Sequence, residues 1–291
     1  MRYPGSKGKL SKHIVRVISD FIKDNNDFCY VEPFMGACAV GFSLLEIPHV
    51  KSFEFNDVDY GMYALWTATK DHPKELIRFI KKFKPSIKAF ESFKQYLLNI
   101  PLKDQTPQKD VSIGFRKLAI HQISYSGLGT KSGGPLGGKE QSSDYKIDCR
   151  WTPENLVKDI KKISLLMREK DVTICDVDFE IFMKRANFKH KKCIYYLDPP
   201  YYVKGPELYQ CSFTESDHKR LAEFLRQSDN PWLLSYDDCP KIKSLYDFAV
   251  VKEVPLNYTI NGSIVKTELL IAPKSYGQLV DEELGVRDIW D

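Results

Sequence analysis

The four residues Asp198-Pro199-Pro200-Tyr201 are the part of the sequence that points most directly to chemistry. They directly follow an apolar run over 193–197, which predicts a strongly buried strand. Ligands of open α/β sheets bind beyond the carboxyl ends of the strands. Two consecutive prolines lack backbone donors, so this stiff segment offers carbonyl acceptors beside a carboxylate and an aromatic ring. The cluster suits a planar base that donates two N–H bonds from an amino group. The alternative interpretation is a proline-stiffened turn.

A second group of candidates lies near the start of the chain. Residues 28–31 predict a strand, and Gly36 with its small neighbours allows a tight turn from that strand into a helix and a close approach to a ligand. Asp57 ends the next predicted strand, 51–55, and lies 21 residues after Gly36. A carboxylate at this place can accept hydrogen bonds from both hydroxyls of a ribose. It could instead cap the following helix.

Four motifs in this order resemble those of the Dam-like DNA adenine-N6 methyltransferases, from about residue 1 to 273. They are Arg2-Tyr3-Pro4-Gly5-Ser6-Lys7, Val31-Glu32-Pro33-Phe34-Met35-Gly36-Ala37, Asn56-Asp57 and Asp198-Pro199-Pro200-Tyr201. The resemblance implies S-adenosylmethionine as cofactor and an α/β fold, a class I methyltransferase (Rossmann-like) sheet with an inserted, mainly helical DNA-recognition region. Ser6 is a departure, because many relatives have glycine there.

The resemblance also implies roles for individual residues. The catalytic set is Asp198, Pro199, Pro200 and Tyr201. We expect Asp198 and the Pro199 carbonyl to accept the two N–H bonds of the target amine, and Tyr201 to stack on the extruded base. The amine would then attack the sulfonium methyl directly, without a covalent enzyme intermediate.

The cofactor would contact residues from several motifs. Tyr3 and Lys7 resemble the motif that packs against its methionine part, and Asp178-Phe179 would lie against its adenine. Asp176 could replace Asp178, and Phe179 could simply be a core residue. The full predicted cofactor set is Tyr3, Lys7, Phe34, Gly36, Asp57, Asp178, Phe179 and Asp198.

The elements that must position these residues alternate between strands and helices at both ends of the chain, which predicts an α/β sheet with one insertion. Amphipathic helix patterns cover 10–22, 74–100, 153–169 and 217–227, and further strands are predicted at 172–175, 232–236 and 267–271. We therefore assign 1–65 and 171–275 to a catalytic domain, 66–170 to an inserted target-recognition region, and 276–291 to a loosely attached acidic tail.

Charge is unevenly distributed along the 291 residues. The net charge of +4 divides into +10 for 61–170 and −6 for the rest, which suits a module that faces a polyanion, although solvated helix faces would explain it as well. The segment 127–138 has six glycines and predicts a binding loop or a mobile connector. The predicted contacts to double-stranded DNA are Arg116, Tyr125, Ser126, Lys131 and Lys139. Gln122-Ile123-Ser124 departs from the run that relatives often carry there.

Composition excludes several classes. The sequence has no apolar run long enough to span a membrane and no apolar leader segment. The seven cysteines contain no CxxC pair and the six histidines no metal spacing, so we expect a reduced, cytoplasmic protein without a metal site.

These observations predict a site-specific DNA methyltransferase that modifies the exocyclic N6 of adenine by base flipping. A cognate restriction endonuclease is a candidate partner. The alternatives are a cytosine-N4 methyltransferase, whose motif usually begins with Ser rather than Asp198, and a catalytically silent DNA-binding module. A protein-glutamine methyltransferase or a small-molecule methyltransferase fits less well.

Overall fold

Strands and helices alternate along the chain in this computed structural model, which describes residues 8–24, 27–100, 106–203, 205–259 and 263–280. Tyr3 and Lys7 lie outside the described residues. The strands are β1 Cys29–Glu32, β2 Ser52–Asn56, β3 Asp171–Cys175, β4 Cys193–Leu197, β5 Trp232–Asp237, β6 Ala249–Thr259 and β7 Ser263–Pro273. The helices are α1 Gly8–Asp24, α2 Ala39–Leu45, α3 Tyr60–Asp71, α4 Pro73–Lys82, α5 Ile87–Leu98, α6 Pro107–Ile123, α7 Pro153–Glu169, α8 Phe179–Lys189, α9 Gly205–Leu208, α10 Glu215–Arg226 and α11 Pro240–Leu245.

The strands of the described residues form one mixed sheet in the order β3-β2-β1-β4-β5-β7-β6. The first five strands pair in parallel, and β7 runs antiparallel to both β5 and β6. Every residue of the central strands β1 and β4 is buried, as expected where helices cover both faces of a parallel sheet. The chain order reverses between β1 and β4, and such a reversal opens a crevice at the carboxyl ends of the strands.

The inserted region contains helices α4 to α7 in its described residues. The amphipathic pattern over 74–100 is interrupted: α4 ends before Phe83, which is extended, and Ser86 caps α5 by accepting a hydrogen bond from the Ala89 N–H at 3.1 Å. Pro85 lies between them and disfavours helix at the residue before it. Helix α6 was not predicted from the sequence, because its residues from 111 to 123 are almost all buried and it shows no polar face.

The inserted region shares its hydrophobic core with the sheet domain. Its buried apolar side chains belong to the same cluster as those of α1, α2 and β2. The predicted boundary between residues 65 and 66 falls inside α3, which packs against α6 and α7. A buried ion pair crosses that boundary, from the Lys117 ammonium on α6 to the Asp59 carboxylate at 2.6 Å.

The prediction of a loosely attached tail over 276–291 is wrong for residues 276–280. Leu279 and Val280 are buried in a short 3₁₀ segment, Lys274–Val280, and the ring of Tyr276 meets that of Phe21 edge-on with centroids 5.9 Å apart. Apolar side chains at these positions anchor the segment beside α1. In the described part of the chain, no helix has the length and apolar character needed to cross a membrane.

Candidate active site

A cavity of about 280 Å³ opens at the carboxyl ends of β1, β2 and β4, where the sheet order reverses. Its wall brings together seven of the predicted site residues, from four separate stretches of sequence. They are Phe34, Gly36, Asp57, Asp178, Phe179, Asp198 and Pro200. A further segment, 209–213, closes one side of the cavity.

Gly36 forms the turn between β1 and α2. Its φ of 42° lies in the left-handed region that favours glycine. Its N–H donates to the Asp57 carboxylate at 2.8 Å, and its carbonyl accepts from the Trp66 indole at 2.8 Å. The turn is therefore held against the end of β2, and it brings backbone close to the cavity.

Asp57 accepts backbone hydrogen bonds with both carboxylate oxygens, one from Gly36 and one from the Asp59 N–H at 2.9 Å. The interpretation of Asp57 as a helix cap is wrong, because Asp59 caps α3 by accepting from Gly61 and Met62. Burial and the neighbouring Asp59 charge raise the pKa of Asp57 to about 7. Burial would also raise the pKa of Asp59, but Lys117 outweighs it, and the pKa of Asp59 is lowered.

The sequence offered two carboxylates in this segment, Asp176 and Asp178. Among the described residues, Asp178 lines the cavity and Asp176 does not. Asp178 caps α8 by accepting from the Glu180 N–H at 3.0 Å, and it pairs with the Arg220 guanidinium at 2.8 Å. These two partners fix the orientation of the side chain at the cavity edge.

Three aromatic rings form an apolar wall of the cavity. Phe179 is buried, and its ring centroid lies 5.7 Å from that of Phe34 and 5.2 Å from that of Phe213. Phe179 is thus a core residue and a cavity residue at once. Phe213 was not predicted from the sequence, because it lies in irregular backbone outside every motif.

The catalytic segment is attached to β5 and β7, the two strands that follow β4 in the order of the sheet. Asp198 accepts from the Ser235 hydroxyl on β5 at 3.1 Å, and the Tyr201 hydroxyl donates to Glu268 on β7 at 3.0 Å. Burial raises the pKa of Tyr201, so this hydroxyl stays protonated. Pro200 lines the cavity, whereas Pro199 and Tyr201 are not among the described residues that line it.

Asp237 holds the backbone after the catalytic segment. Its two carboxylate oxygens accept from the N–H groups of Tyr202 and Val203, each at 3.0 Å. This residue was not among the predicted site residues, although its position at the end of a predicted strand was a usable signal.

Glu32 is a second acidic residue of the cavity that had no predicted role. It lines the cavity, is 2% exposed and accepts from the Tyr30 hydroxyl at 2.8 Å. Burial raises its pKa to about 8, and the nearby Asp198 contributes in the same direction. At neutral pH Glu32 is therefore mainly protonated, and the cavity avoids a further negative charge there.

Arg116 is packed inside the helical layer. Its guanidinium lies over the ring of Tyr96, 4.4 Å from the centroid, and donates to the Ser112 carbonyl at 3.2 Å and to the Ser112 hydroxyl. Burial lowers the pKa of Arg116. These contacts account for Arg116 as a packing residue, and its predicted contact to DNA stays a prediction.

The other predicted DNA contacts lie on exposed turns. Tyr125, Ser126 and Lys139 are exposed, and the Lys131 ammonium donates to the Pro206 carbonyl at 3.0 Å. Two 3₁₀ turns, Tyr125–Gly127 and Gly129–Lys131, form the start of the glycine-rich segment 127–138 and the residues just before it. Its role as a binding loop or a mobile connector stays a prediction.

The strand order and a strand-end cavity lined by carboxylates and aromatic rings define a class I methyltransferase. The chain belongs to the family of D12 class N6 adenine-specific DNA methyltransferases, whose model matches residues 3–260. This confirms the resemblance and the predicted fold class and activity. Family membership implies S-adenosylmethionine as methyl donor in general terms and DNA as substrate.

Two relatives are Type II methyltransferases. The chain is 24% identical over 244 residues to M.MjaIII of Methanocaldococcus jannaschii, covering 79% of each chain. It is also 24% identical over 239 residues to M.CviBI of Paramecium bursaria Chlorella virus NC1A, covering 79% of this chain and 80% of the relative.

Proposed function

We propose that the cavity binds S-adenosylmethionine, and that Asp198 and its neighbours direct its methyl group to the N6 of an adenine flipped out of double-stranded DNA. The observation that carries the proposal is that Asp57, Asp178 and Asp198, from three distant motifs, line one cavity. A cognate restriction endonuclease remains a proposed partner, which the relatives' names as Type II methyltransferases support.

The donor set of the cavity fits this cofactor. Asp57 lies at the end of β2, where a carboxylate can accept from ribose hydroxyls, and it has lone pairs beyond the two used by Gly36 and Asp59. The rings of Phe34, Phe179 and Phe213 offer an apolar wall for a purine, and Asp178 at its edge can accept from a purine amine. Tyr3 and Lys7 remain proposed contacts to the methionine part.

The cofactor supplies an electrophilic sulfonium methyl group, and the protein residues act on the nucleophile. The lone pair of the adenine amine is delocalised into the ring, which makes it a poor nucleophile. Asp198 and the Pro199 carbonyl accept its two N–H bonds and favour the pyramidal form. As the bond from N6 to the methyl carbon forms, the bond from that carbon to sulfur would break and leave a neutral thioether. The surplus proton of the amine would leave along its hydrogen bond to the Asp198 carboxylate. Holding the amine in line with the methyl group supplies much of the acceleration. Ser235 and Asp237 fix the geometry of this segment from β5.

Tyr201 is proposed to stack on the flipped base. Its hydroxyl is held by Glu268, which fixes the ring beside the catalytic carboxylate. Flipping costs a few kcal/mol, which stacking and hydrogen bonds partly offset. Residues 66–170 would read the DNA, and 1–65 with 171–275 would carry the chemistry.

The test is transfer of a labelled methyl group from S-adenosylmethionine to unmethylated duplex DNA, followed by digestion and separation of the nucleosides. We expect N6-methyladenine. N4-methylcytosine would instead support the cytosine-N4 alternative. DNA binding without methyl transfer or cofactor binding would support the silent module.

A further inference from the structure

The cavity segment 209–213 is held in place by the inserted helical region. It lies in irregular backbone between the short helix α9 and helix α10. Its residues Tyr209, Gln210, Cys211, Ser212 and Phe213 all line the cavity. The position of this wall therefore depends on side-chain contacts to the neighbouring region.

Gln210 makes two of these contacts with the two ends of one amide. Its nitrogen donates to the Leu97 carbonyl at the end of α5 at 3.1 Å, and its oxygen accepts from the Thr130 hydroxyl at 2.9 Å. A backbone carbonyl can only accept, so the nitrogen must face Leu97 and the oxygen must face Thr130. Both partners are buried, which makes the orientation of the amide specific.

Thr130 belongs to the second 3₁₀ turn of the glycine-rich segment, between the exposed Ser126 and Lys139 that we propose at the DNA. The turn is itself anchored. The Lys94 ammonium on α5 donates to the Ser132 carbonyl at 2.7 Å, and the Gly129 N–H donates to the Ser124 hydroxyl at 2.9 Å. Gln210 is therefore bonded to a turn whose backbone is itself held by α5 and by the residue that follows α6.

We infer that Gln210 is a positioning residue that couples DNA binding by the glycine-rich segment to cofactor binding in the cavity. The inference rests on the proposed function. A ligand that holds segment 209–213 also holds Gln210 and the turn, so the second ligand meets a site that is already ordered. Coupling between two sites is reciprocal and typically amounts to about 5- to 150-fold in affinity.

The experiment measures the dissociation constant of S-adenosylhomocysteine by calorimetry, without and with a duplex that the protein methylates. In the unaltered protein, we expect DNA to tighten this binding by about fivefold or more. The ratio of the dissociation constant without DNA to that with DNA should fall towards one in two variants. Gln210→Leu keeps the size of the side chain, and Thr130→Val removes one hydrogen-bond donor. Without DNA, the affinity for S-adenosylhomocysteine should be unchanged in Thr130→Val, because Thr130 is not among the described residues that line the cavity.

Gln227→Leu is the matched control. Gln227 lies at the end of α10, and its side-chain amide donates to the exposed Glu223 carboxylate. This variant should keep the unaltered ratio. The double variant Gln210→Leu/Thr130→Val should lose no more coupling than either single variant, since both act through one contact.

If both single variants keep the ratio of the unaltered protein, the inference is overturned. It is also overturned if only Gln210→Leu loses the coupling, because the contact with Thr130 in the turn would then carry none of it. A protein that methylates adenine but shows no coupling would overturn the inference and leave the proposed function intact. A protein that binds no cofactor would overturn both.

Discussion

The carboxyl edge of the sheet and the inserted helical region differ in how their important residues are encoded. At the edge, side chains that meet in the cavity come from short motifs at strand ends, and Asp57 and Asp198 keep the places their motifs predict. In the insertion, neighbours in sequence have unrelated surroundings: Arg116 stacks on Tyr96, and Lys117 is buried against Asp59. The residue directly after a parallel strand lies at the carboxyl edge of the sheet. In a buried helix, the surroundings of each residue depend instead on which other elements pack against it.

The largest effect on stability should come from a basic residue in the insertion that does not face DNA. Lys117→Met leaves the Asp59 carboxylate buried without its cation, and it should lower the free energy of unfolding by about 3–5 kcal/mol. Denaturant unfolding measures this, with Lys158→Met as a control on the exposed side of α7.

Adding Asp59→Asn to Lys117→Met should recover part of the lost stability, because asparagine removes the unpaired charge and still caps α3. If Lys117→Met unfolds like the control, then the buried pair does not join the two regions.

The largest effect on catalysis should come from the edge of the sheet. Asp198→Ala removes an acceptor for the target amine, and we expect methyl transfer to fall by roughly 10²- to 10³-fold, by analogy with the loss of one transition-state hydrogen bond. Methyl incorporation and circular dichroism are the measurements.

Asp238→Ala, at an exposed aspartate after β5, is the control. Activity of Asp198→Ala within a few-fold of the unaltered protein would contradict the assigned role.

Asp57 should control cofactor affinity. Asp57→Ala should weaken S-adenosylmethionine binding roughly ten- to hundred-fold, the value of a hydrogen bond to a charged group, while DNA binding changes less. Titration calorimetry with each ligand separates the two effects. Equal losses for both ligands would indicate general damage to the fold.

The pH dependence of cofactor binding sharpens the same assignment. Burial and Asp59 raise the pKa of Asp57 to about 7, so below about pH 7 most of the folded apoprotein holds a proton that must leave before the carboxylate accepts from two hydroxyls. Affinity should therefore rise from about pH 6 to about pH 8 and level off above the pKa, since a group is about 90% ionised one unit above its pKa. Asp57→Asn has no carboxylate to titrate, so the difference between its affinity–pH profile and that of the unaltered protein gives the contribution of Asp57. Parallel profiles would show that another group loses the proton.

The smallest effects should come from two exposed lysines, Lys131 in the glycine-rich segment and Lys139 directly after it. Lys131→Ala and Lys139→Ala together should lower the slope of log affinity against log salt by roughly 1.8, or about 0.9 for each phosphate contact. Binding to cognate and scrambled duplexes should weaken alike, because phosphate contacts do not read bases. Salt titrations of both duplexes test this. An unchanged slope would place the DNA elsewhere.

Arg116→Ala is the contrasting variant of that series. An arginine that reaches guanine would change sequence preference, whereas the packed Arg116 should chiefly affect stability. Parallel measurements of unfolding and of sequence preference distinguish the two roles.

Local sequence pattern predicted six of the seven strands of the described sheet and the strand ends at which the motif residues lie, but it did not predict β6. The short apolar run 193–197 is typical of a buried central strand, and the residues directly after such a strand must lie at its carboxyl end. The places of Asp57 and Asp198 were therefore predictable, because an apolar run is a property of adjacent residues. The choice between Asp176 and Asp178 required the structure.

The residues that complete the site became visible only in the folded chain. Phe213 and Gln210 reach it through contacts that no local pattern records, such as that of Gln210 with Leu97, which lies 113 residues away in sequence. Lys117 looks like any basic residue of the insertion, and only the packing of α6 on α3 buries it beside Asp59. Hydrogen bonds and burial between distant segments depend on the whole packed core, and for that reason these assignments required the fold.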